Sequence, residues 1–215
     1  MSKIVYITVK TPFGFQESFI LTEMLALRNN GADILIIPRD TLKERLSHKK
    51  AEALIPCAIA LPLINRAMVC TFIKYLVYKP ISLIKLVNEV AFKAPTVKIA
   101  LKNLAVLPKA LYLAQIDLMK DVSHIHAHWA STTATMAFAM STVTGIPWSF
   151  TAHRWDIREN NIMSAKCRTA SFIRVISEAG KEEILDIIKG EPAAGKVAVI
   201  HMGVEMPTMT KLPGS

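Results

Sequence analysis

Two clusters in the second half of the chain have residue types and spacings suited to chemistry. In WSFTAHRWDI, residues 148–157, an apolar β-prone run ends in His153, Arg154 and Asp156. Pro147 to Thr151 reads as a short buried parallel strand between a helix-prone segment and a polar loop. The ionisable groups then lie just past its carboxyl end, the place where open α/β sheets bind ligands. An imidazole there can contact a hydroxyl, and a guanidinium can meet phosphate or carboxylate. Upstream, His124, His126 and His128 form H-x-H-x-H. Period-2 spacing on a strand would point all three to one face and invite a metal. A metal-dependent hydrolase built on this cluster would take further ligands from His153, Asp156, Glu178 or His201 and keep a position open for water. Trp129 and Ala130 lead toward a helix, however, so the strand is expected to end at His126 and the common face to be lost.

The elements that must position these residues alternate between strand and helix at both ends of the chain. Lys3 to Val9 reads as a central strand. Glu17 to Asn30 reads as a helix with Phe19, Ile20, Met24, Leu25 and Leu27 on its apolar face, closed by Gly31. Asp33 to Ile37 completes a βαβ unit, which implies a right-handed crossover and a parallel sheet. The intervening TPFGFQE holds a single glycine, Gly14, where a dinucleotide fold would carry G-x-G-x-x-G. That glycine still allows a ligand near the backbone, and the helix starting near Glu17 offers free N–H groups to an anion. From Val122 the alternation resumes. Strands are expected at Ser123–His126, Pro147–Thr151, Phe172–Ile176 and Lys196–Ile200, six in all. Helices are expected at Ser131–Thr144, with Ser131 as N-cap, and at Glu178–Lys189, capped by Ser177. Gly190 to Val197 nearly matches a phosphate-binding loop, but Val197 replaces the hydroxyl residue, Pro192 removes a donor and the element order is wrong, so it reads as a connection.

Residues 41–121 contain no convincing strand and read as helices broken near Pro56, Pro62, Pro80, Pro95 and Pro108. This segment holds thirteen basic and five acidic side chains and so carries most of the net charge of +9. It is also rich in Leu, Ile and Val, a mixture that fits an anionic membrane surface better than nucleic acid. The longest uncharged run, Ala53 to Asn65, has 13 residues and two prolines, too short to cross a bilayer. Lys74, Lys79, Lys85, Lys93, Lys98, Lys102 and Lys109 among aliphatics suggest amphipathic helices lying on a membrane, or an ordinary helical insertion whose lysines face water. The apolar fraction of 52% supports a substantial core. Three scattered cysteines fit reduced buried thiols, and MSKIVYITVK enters a strand without a signal-peptide h-region, so a cytoplasmic location is expected. No Gly-x-Ser-x-Gly elbow is present.

HIHAHWA, GIPWSFTAHRWDI, FIRVISE and KVAVIHMGVE, in this order and at these intervals, resemble the N-terminal half of family 4 glycosyltransferases of the GT-B fold. The opening TPFGFQESFILTEMLALRNNGADILIIP resembles their first βαβ unit, so the likeness covers residues 1–40 and 122–206. It implies a Rossmann-like parallel sheet with helices on both faces, one half of a GT-B fold, carrying the basic helical insertion. It further implies transfer of a sugar from a nucleotide sugar to a glycan or lipid-linked acceptor, with retention at the anomeric carbon and without a metal or other cofactor. His153 matches the histidine of the T-A-H element that reaches the donor sugar and is the expected catalytic residue. Gly14 matches the acceptor-loop glycine, beside Phe15 and Gln16. Asp156 matches the aspartate of the D-I pair, Ser177 and Glu178 the S-E step, and Gly203 with Glu205 the turn before the linker. His128 and Arg154 join these as expected substrate-binding residues. One glycine in the first loop and HMGVE in place of the usual Asn and Asp depart from the pattern. The expected organisation is an acceptor-side domain over 1–206, the start of an interdomain linker over 207–215, and a donor-binding domain absent from this chain. Such a half would be inactive alone, peripheral to the inner membrane face and engaged in polysaccharide biosynthesis. A non-catalytic basic domain that recruits a partner to the membrane is the alternative.

Overall fold

Runs of β-branched and aliphatic residues form one parallel sheet in a computed structural model that describes residues 3–13, 17–40, 49–189 and 192–203. Its strands are β1 (Lys3–Thr8), β2 (Asp33–Pro38), β3 (Val122–His128), β4 (Trp148–Ala152), β5 (Phe172–Val175) and β6 (Val197–Val199), in the order β2-β1-β3-β4-β5-β6. The helices are α1 (Ser18–Asn29), α2 (Arg66–Tyr78), α3 (Pro80–Val87), α4 (Val97–Leu113), α5 (Thr132–Thr144), α6 (Arg154–Glu159), α7 (Met163–Thr169) and α8 (Glu178–Ile187). Strand order reverses direction between β1 and β3, so the loops after these two strands diverge and open a crevice at their carboxyl ends.

Alternate residues of each strand serve opposite faces. Val5, Ile7, Leu35, Ile37, Ile125, Ala127, Phe150 and Ile173 pack with apolar residues of α4, α5, α7 and α8. Tyr6, Ile34 and Ile36 pack instead with Ile20, Leu21 and Met24 of α1 and with Leu54 of the 3-10 segment Lys49–Cys57. α5 is buried continuously from Thr132 to Met140 because it lies between the sheet and α4. Gly31 follows the α1 cap at φ 85°, a backbone position glycine adopts without a steric penalty.

All six expected strands are present. Three local expectations are corrected and one, the Ser131 N-cap, is met in position only. β3 runs through His128, because its hydrogen-bonded partner β4 extends alongside as far as Thr151. The segment after β4 folds as α6 and α7 where a loop was expected. Ser131 occupies the N-cap of α5 without making a side-chain cap bond. Pro108 does not end α4, since Val106, Leu107, Ala110 and Leu111 around it are core residues whose burial outweighs a proline cost of about 3 kcal/mol.

Described residues 49–121 contain no strand, but they are more than an insertion. α4 is the crossover helix between β2 and β3, and it forms part of the main core. Lys109 on α4 is fully buried and donates to the carbonyls of Pro38, Arg39 and Leu61 at 2.7, 2.8 and 2.7 Å. Three bonds use every N–H of the ammonium. Lys109→Met is expected to destabilise the fold by roughly 2 kcal/mol, as the loss of three charge-assisted bonds outweighs the relief of a desolvated charge. Urea unfolding tests this, with the exposed Lys102→Met as a near-neutral control.

Candidate functional site

The crevice is built from the ends of β1, β3 and β4. After β1 the chain turns so that the backbone N–H groups of Val9, Lys10 and Thr11 donate to the Glu17 carboxylate at 3.1, 2.6 and 2.9 Å. Trp129, the residue after β3, donates its indole Nε1 to the same carboxylate at 2.5 Å. Glu17 therefore ties the first loop to the third strand. As the N-cap residue of α1 it also carries a negative charge next to the helix start that the sequence offered to an anion, without a side-chain cap bond to that helix. Trp129 adopts φ 81°, a left-handed backbone that an indole takes only when its surroundings hold it.

His153 is the N-cap residue of α6, with its backbone N–H donating to Asp156 Oδ2 at 3.2 Å. Its half-buried ring lies 4.3 Å from the Trp129 ring, centroid to centroid, and 5.7 Å from Phe19 of α1. Its Nε2 is 2.9 Å from His128 Nε2. Two ring nitrogens at that distance share one proton, so one imidazole donates and the other accepts. Burial lowers the His153 pKa to about 4, helped by Arg174, and pushes His128 well below its ordinary value. Both rings are neutral at pH 7. The pair can hydrogen-bond a hydroxyl but is poorly matched to donating a proton at that pH.

All three histidines of the triplet lie within β3 and share a face, which reverses the expectation that the strand leaves that face after His126. His124 Nε2 and His126 Nδ1 meet Ser149 Oγ at 2.7 and 2.8 Å, and His126 Nε2 lies 3.1 Å from Thr151 Oγ1. Burial, with His124 and Arg174 nearby, lowers the His126 pKa to about 3. Among the described residues Glu23, His126 and His128 bring donor atoms within 4.8 Å of one another. This set fits a metal poorly. Both His126 nitrogens are engaged, Glu23 binds the Tyr6 hydroxyl and the Arg174 guanidinium, and that guanidinium would repel a second cation. Of the His126 and His128 ring nitrogens, only His128 Nδ1 lacks a partner among the described residues. Of the other ligands named for a hydrolase, His153 meets His128 and the rest are dispersed. His201 Nδ1 lies on the Ile176 carbonyl, Glu178 is exposed, and Asp156 turns inward.

Of the other expected site residues, Gly14, Phe15, Gln16 and Glu205 lie outside the described residues. His128 and His153 are brought together. Arg154 is exposed, and its Nε donates to Glu183 of α8 at 3.1 Å. Asp156 is buried and caps α6, accepting backbone N–H bonds from His153 and Ala130, and burial raises its pKa to about 6. Ser177 caps α8 by accepting from Gly180 N–H at 3.2 Å. Gly203 lines a separate cavity of about 470 Å3 with Tyr6, His124, His126 and Arg174. Sequence reasoning missed Glu17, Phe19, Trp129 and Arg174 as site residues. It also missed a polar cavity of about 320 Å3 where Arg39 donates to Thr132 Oγ1 at 2.5 Å and Lys102 pairs with Glu159 at 3.1 Å. Their shared location follows from strand order, which spacing along the chain does not encode.

A second surface is apolar. Ile73, Val77, Tyr78, Ile81, Ile84 and Phe92 on α2, α3 and the π turn Asn88–Phe92 are exposed, Tyr78 at 79% and Phe92 at 81%. Lys74, Lys79 and Lys85 stand among them with no carboxylate partner among the described residues. No single helix is long and apolar enough to cross a membrane, and α2 joins the following α3–π segment at a bend of 112°.

The sheet, its switch point and its helices define an α/β domain of the GT-B type. Solved structures that share this fold include glycosyltransferases. A sucrose-phosphate synthase structure from Thermosynechococcus elongatus aligns over 94% of this chain and 90% of its own, with 16% identity and TM-score 0.52. The lipopolysaccharide outer core galactosyltransferase WaaB in its apo form aligns over 96% and 47%, with 12% identity and TM-score 0.57. A UDP-forming trehalose-phosphate synthase from Burkholderia xenovorans aligns over 88% and 42%, with 14% identity and TM-score 0.50. The chain thus spans less than half the length of the last two. No family model and no curated protein matches the sequence.

The neutral histidines make stability pH-dependent. An unfolded imidazole titrates near ~6.5, whereas folded His126 and His153 titrate at about 3 and about 4. Stability is therefore full above the unfolded value and is lost as pH falls through the window toward the folded values. Asp156, raised to about 6, opposes this slope as a single group. The melting temperature is expected to fall as pH drops below about 6.5. Nitrogen-15 NMR showing protonated His126 in folded protein at about pH 5.5 would contradict this account.

Proposed function

We propose that this domain is the acceptor-side half of a retaining family 4 glycosyltransferase. In this reading it works with a second, donor-binding domain at the cytoplasmic face of a membrane, in polysaccharide biosynthesis. The observation that carries the reading is the half-buried, neutral His153 at the carboxyl edge of β4, fixed by His128 and Trp129 beside the β1/β3 switch point. A neutral imidazole held there suits a hydrogen bond to a hydroxyl of a donor sugar presented across the crevice. The bond would strengthen as the glycosidic bond breaks, which is transition-state stabilisation. The cavity between Arg39, Thr132, Lys102 and Glu159 offers both charges and hydroxyl partners to a glycan or lipid-linked acceptor. The nucleotide sugar would be held by the second domain, and no metal is needed for the chemistry assigned to these residues. Glu17, spent on backbone N–H groups, orders the first loop.

Membrane contact in this reading uses the exposed apolar face of α2 and α3. Lysines near an anionic leaflet gain about 1 kcal/mol each, in addition to apolar insertion. A purely recruiting domain would use the same face, but it leaves the histidine cluster without work.

Two experiments test the proposal. In the two-domain enzyme, His153→Ala is expected to lower kcat by ~100-fold or more while acceptor binding changes less than about threefold. Equal effects on both would make His153 structural, and donor turnover by the 215-residue chain alone would refute the half-enzyme reading. The chain is also expected to float with anionic liposomes and to be released by salt. Association that ignores lipid charge would remove the role given to the lysines.

A further inference from the structure

The inside of the α2–α3 elbow is a groove rather than a packed contact. Phe72 and Leu76 of α2 face Leu83, Ile84 and Val87 of α3 and Phe92 of the π turn around a cavity of about 500 Å3. That size lies within the ~300–1,000 Å3 typical of small-molecule sites. Its origin is local. Pro80 starts α3 at the bend, Leu83, Leu86 and Val90 turn inward to the core, and the π turn leaves the Phe92 ring exposed at the rim of the groove. The walls are hydrocarbon except for Lys85 and Asn88 at the edge, and no acidic side chain lines them. Lys93, just beyond, is already paired with Glu89 at 2.5 Å.

A peptide laid in this groove would bury backbone N–H and C=O groups against walls offering almost nothing to bond, a costly arrangement. A hydrocarbon chain brings no such groups, and the free Lys85 at the mouth complements a negative headgroup. We propose that the α2–α3 elbow holds one acyl chain of an anionic bilayer lipid, its headgroup against Lys85. This deepens the membrane reading above and rests on it. The outer face of α2 adsorbs to the leaflet, and the groove withdraws a single chain from it.

The probes are hexyl, octyl and decyl phosphate, each below its micelle concentration, titrated into the 215-residue chain and followed by NMR. Each methylene withdrawn from water raises affinity by up to about fourfold, so decyl phosphate is expected to bind at least roughly tenfold tighter than hexyl phosphate. Val87→Trp fills the groove and is expected to weaken decyl phosphate by about tenfold while vesicle flotation stays within about threefold. Phe92→Ser, at an exposed ring, is expected to weaken decyl phosphate without lowering the melting temperature, which separates ligand loss from misfolding. Ile73→Ser with Val77→Ser, on the outer face and away from the groove, is expected to do the reverse, reducing flotation alone. Alkyl phosphate binding with no dependence on chain length, or unchanged binding in both groove variants, overturns the groove. Decyl phosphate binding without flotation overturns the membrane reading and with it the bilayer source. A dimer that Phe92→Ser dissociates would put a second copy of the chain in the groove and overturn the lipid.

Discussion

At the carboxyl edge of this parallel sheet the loops carry backbone groups into buried surroundings, where each unpaired one costs about 1–3 kcal/mol. Four charged side chains resolve this constraint, and the rest of the structure depends on them. The Glu17 carboxylate collects the N–H groups of Val9, Lys10 and Thr11, and Asp156 collects those of His153 and Ala130. Lys109 takes the carbonyls of Pro38, Arg39 and Leu61, while Lys166 takes those of Ala130 and Ser131 at 2.7 and 2.9 Å. Ala130 is held from both sides, its N–H by an anion and its carbonyl by a cation. Burial lowers the Lys166 pKa to about 7 and the Lys109 pKa to about 8, so holding these loops comes at a cost to the ammonium groups themselves.

The crevice inherits its geometry from this arrangement. Asp156 fixes the start of α6 and hence the backbone of His153, and Glu17 anchors the Trp129 indole in a left-handed backbone that costs about 1–2 kcal/mol. Between them the imidazoles of His128 and His153 are desolvated and share a proton. Their low basicity follows from where they are held. The charges that hold the loops are spent on backbone groups, and the rings packed around His153 are those of Phe19, His128 and Trp129.

α4 joins this edge to the apolar elbow. Besides Lys109 it carries buried Asn103, which donates to the Val90 carbonyl in the π turn at 2.7 Å, exchanges amide bonds with Asn161 between α6 and α7, and accepts from Thr135 of α5 at 3.0 Å. The elbow is thereby fixed to the same helices that support the crevice. Its exposed residues are presented by a stiff base, consistent with a surface that meets a partner as a preformed shape.

Much of the fold was legible in the sequence. Six short apolar runs, the helix between the first two, and the return of alternation after Val122 follow from local periodicity, which is a property of neighbouring residues. The resemblance of HIHAHWA and WSFTAHRWDI to glycosyltransferase motifs pointed to the histidines that meet at the crevice. Other features were not legible. Glu17 and Trp129 are 112 positions apart, about half of the chain, and only strand order brings them into contact. Asp156 matched a ligand position, yet burial made it a cap. Pro108 reads as a helix breaker until the core on both sides of it is known. The sequence by itself determined the element types, the parallel sheet class and the basic, apolar character of the middle segment, because these depend on residue chemistry and local spacing. Only the tertiary structure decided which charges are spent on backbone, which histidines are neutral and which apolar residues are left outside, because desolvation and pairing depend on neighbours that are distant in the chain.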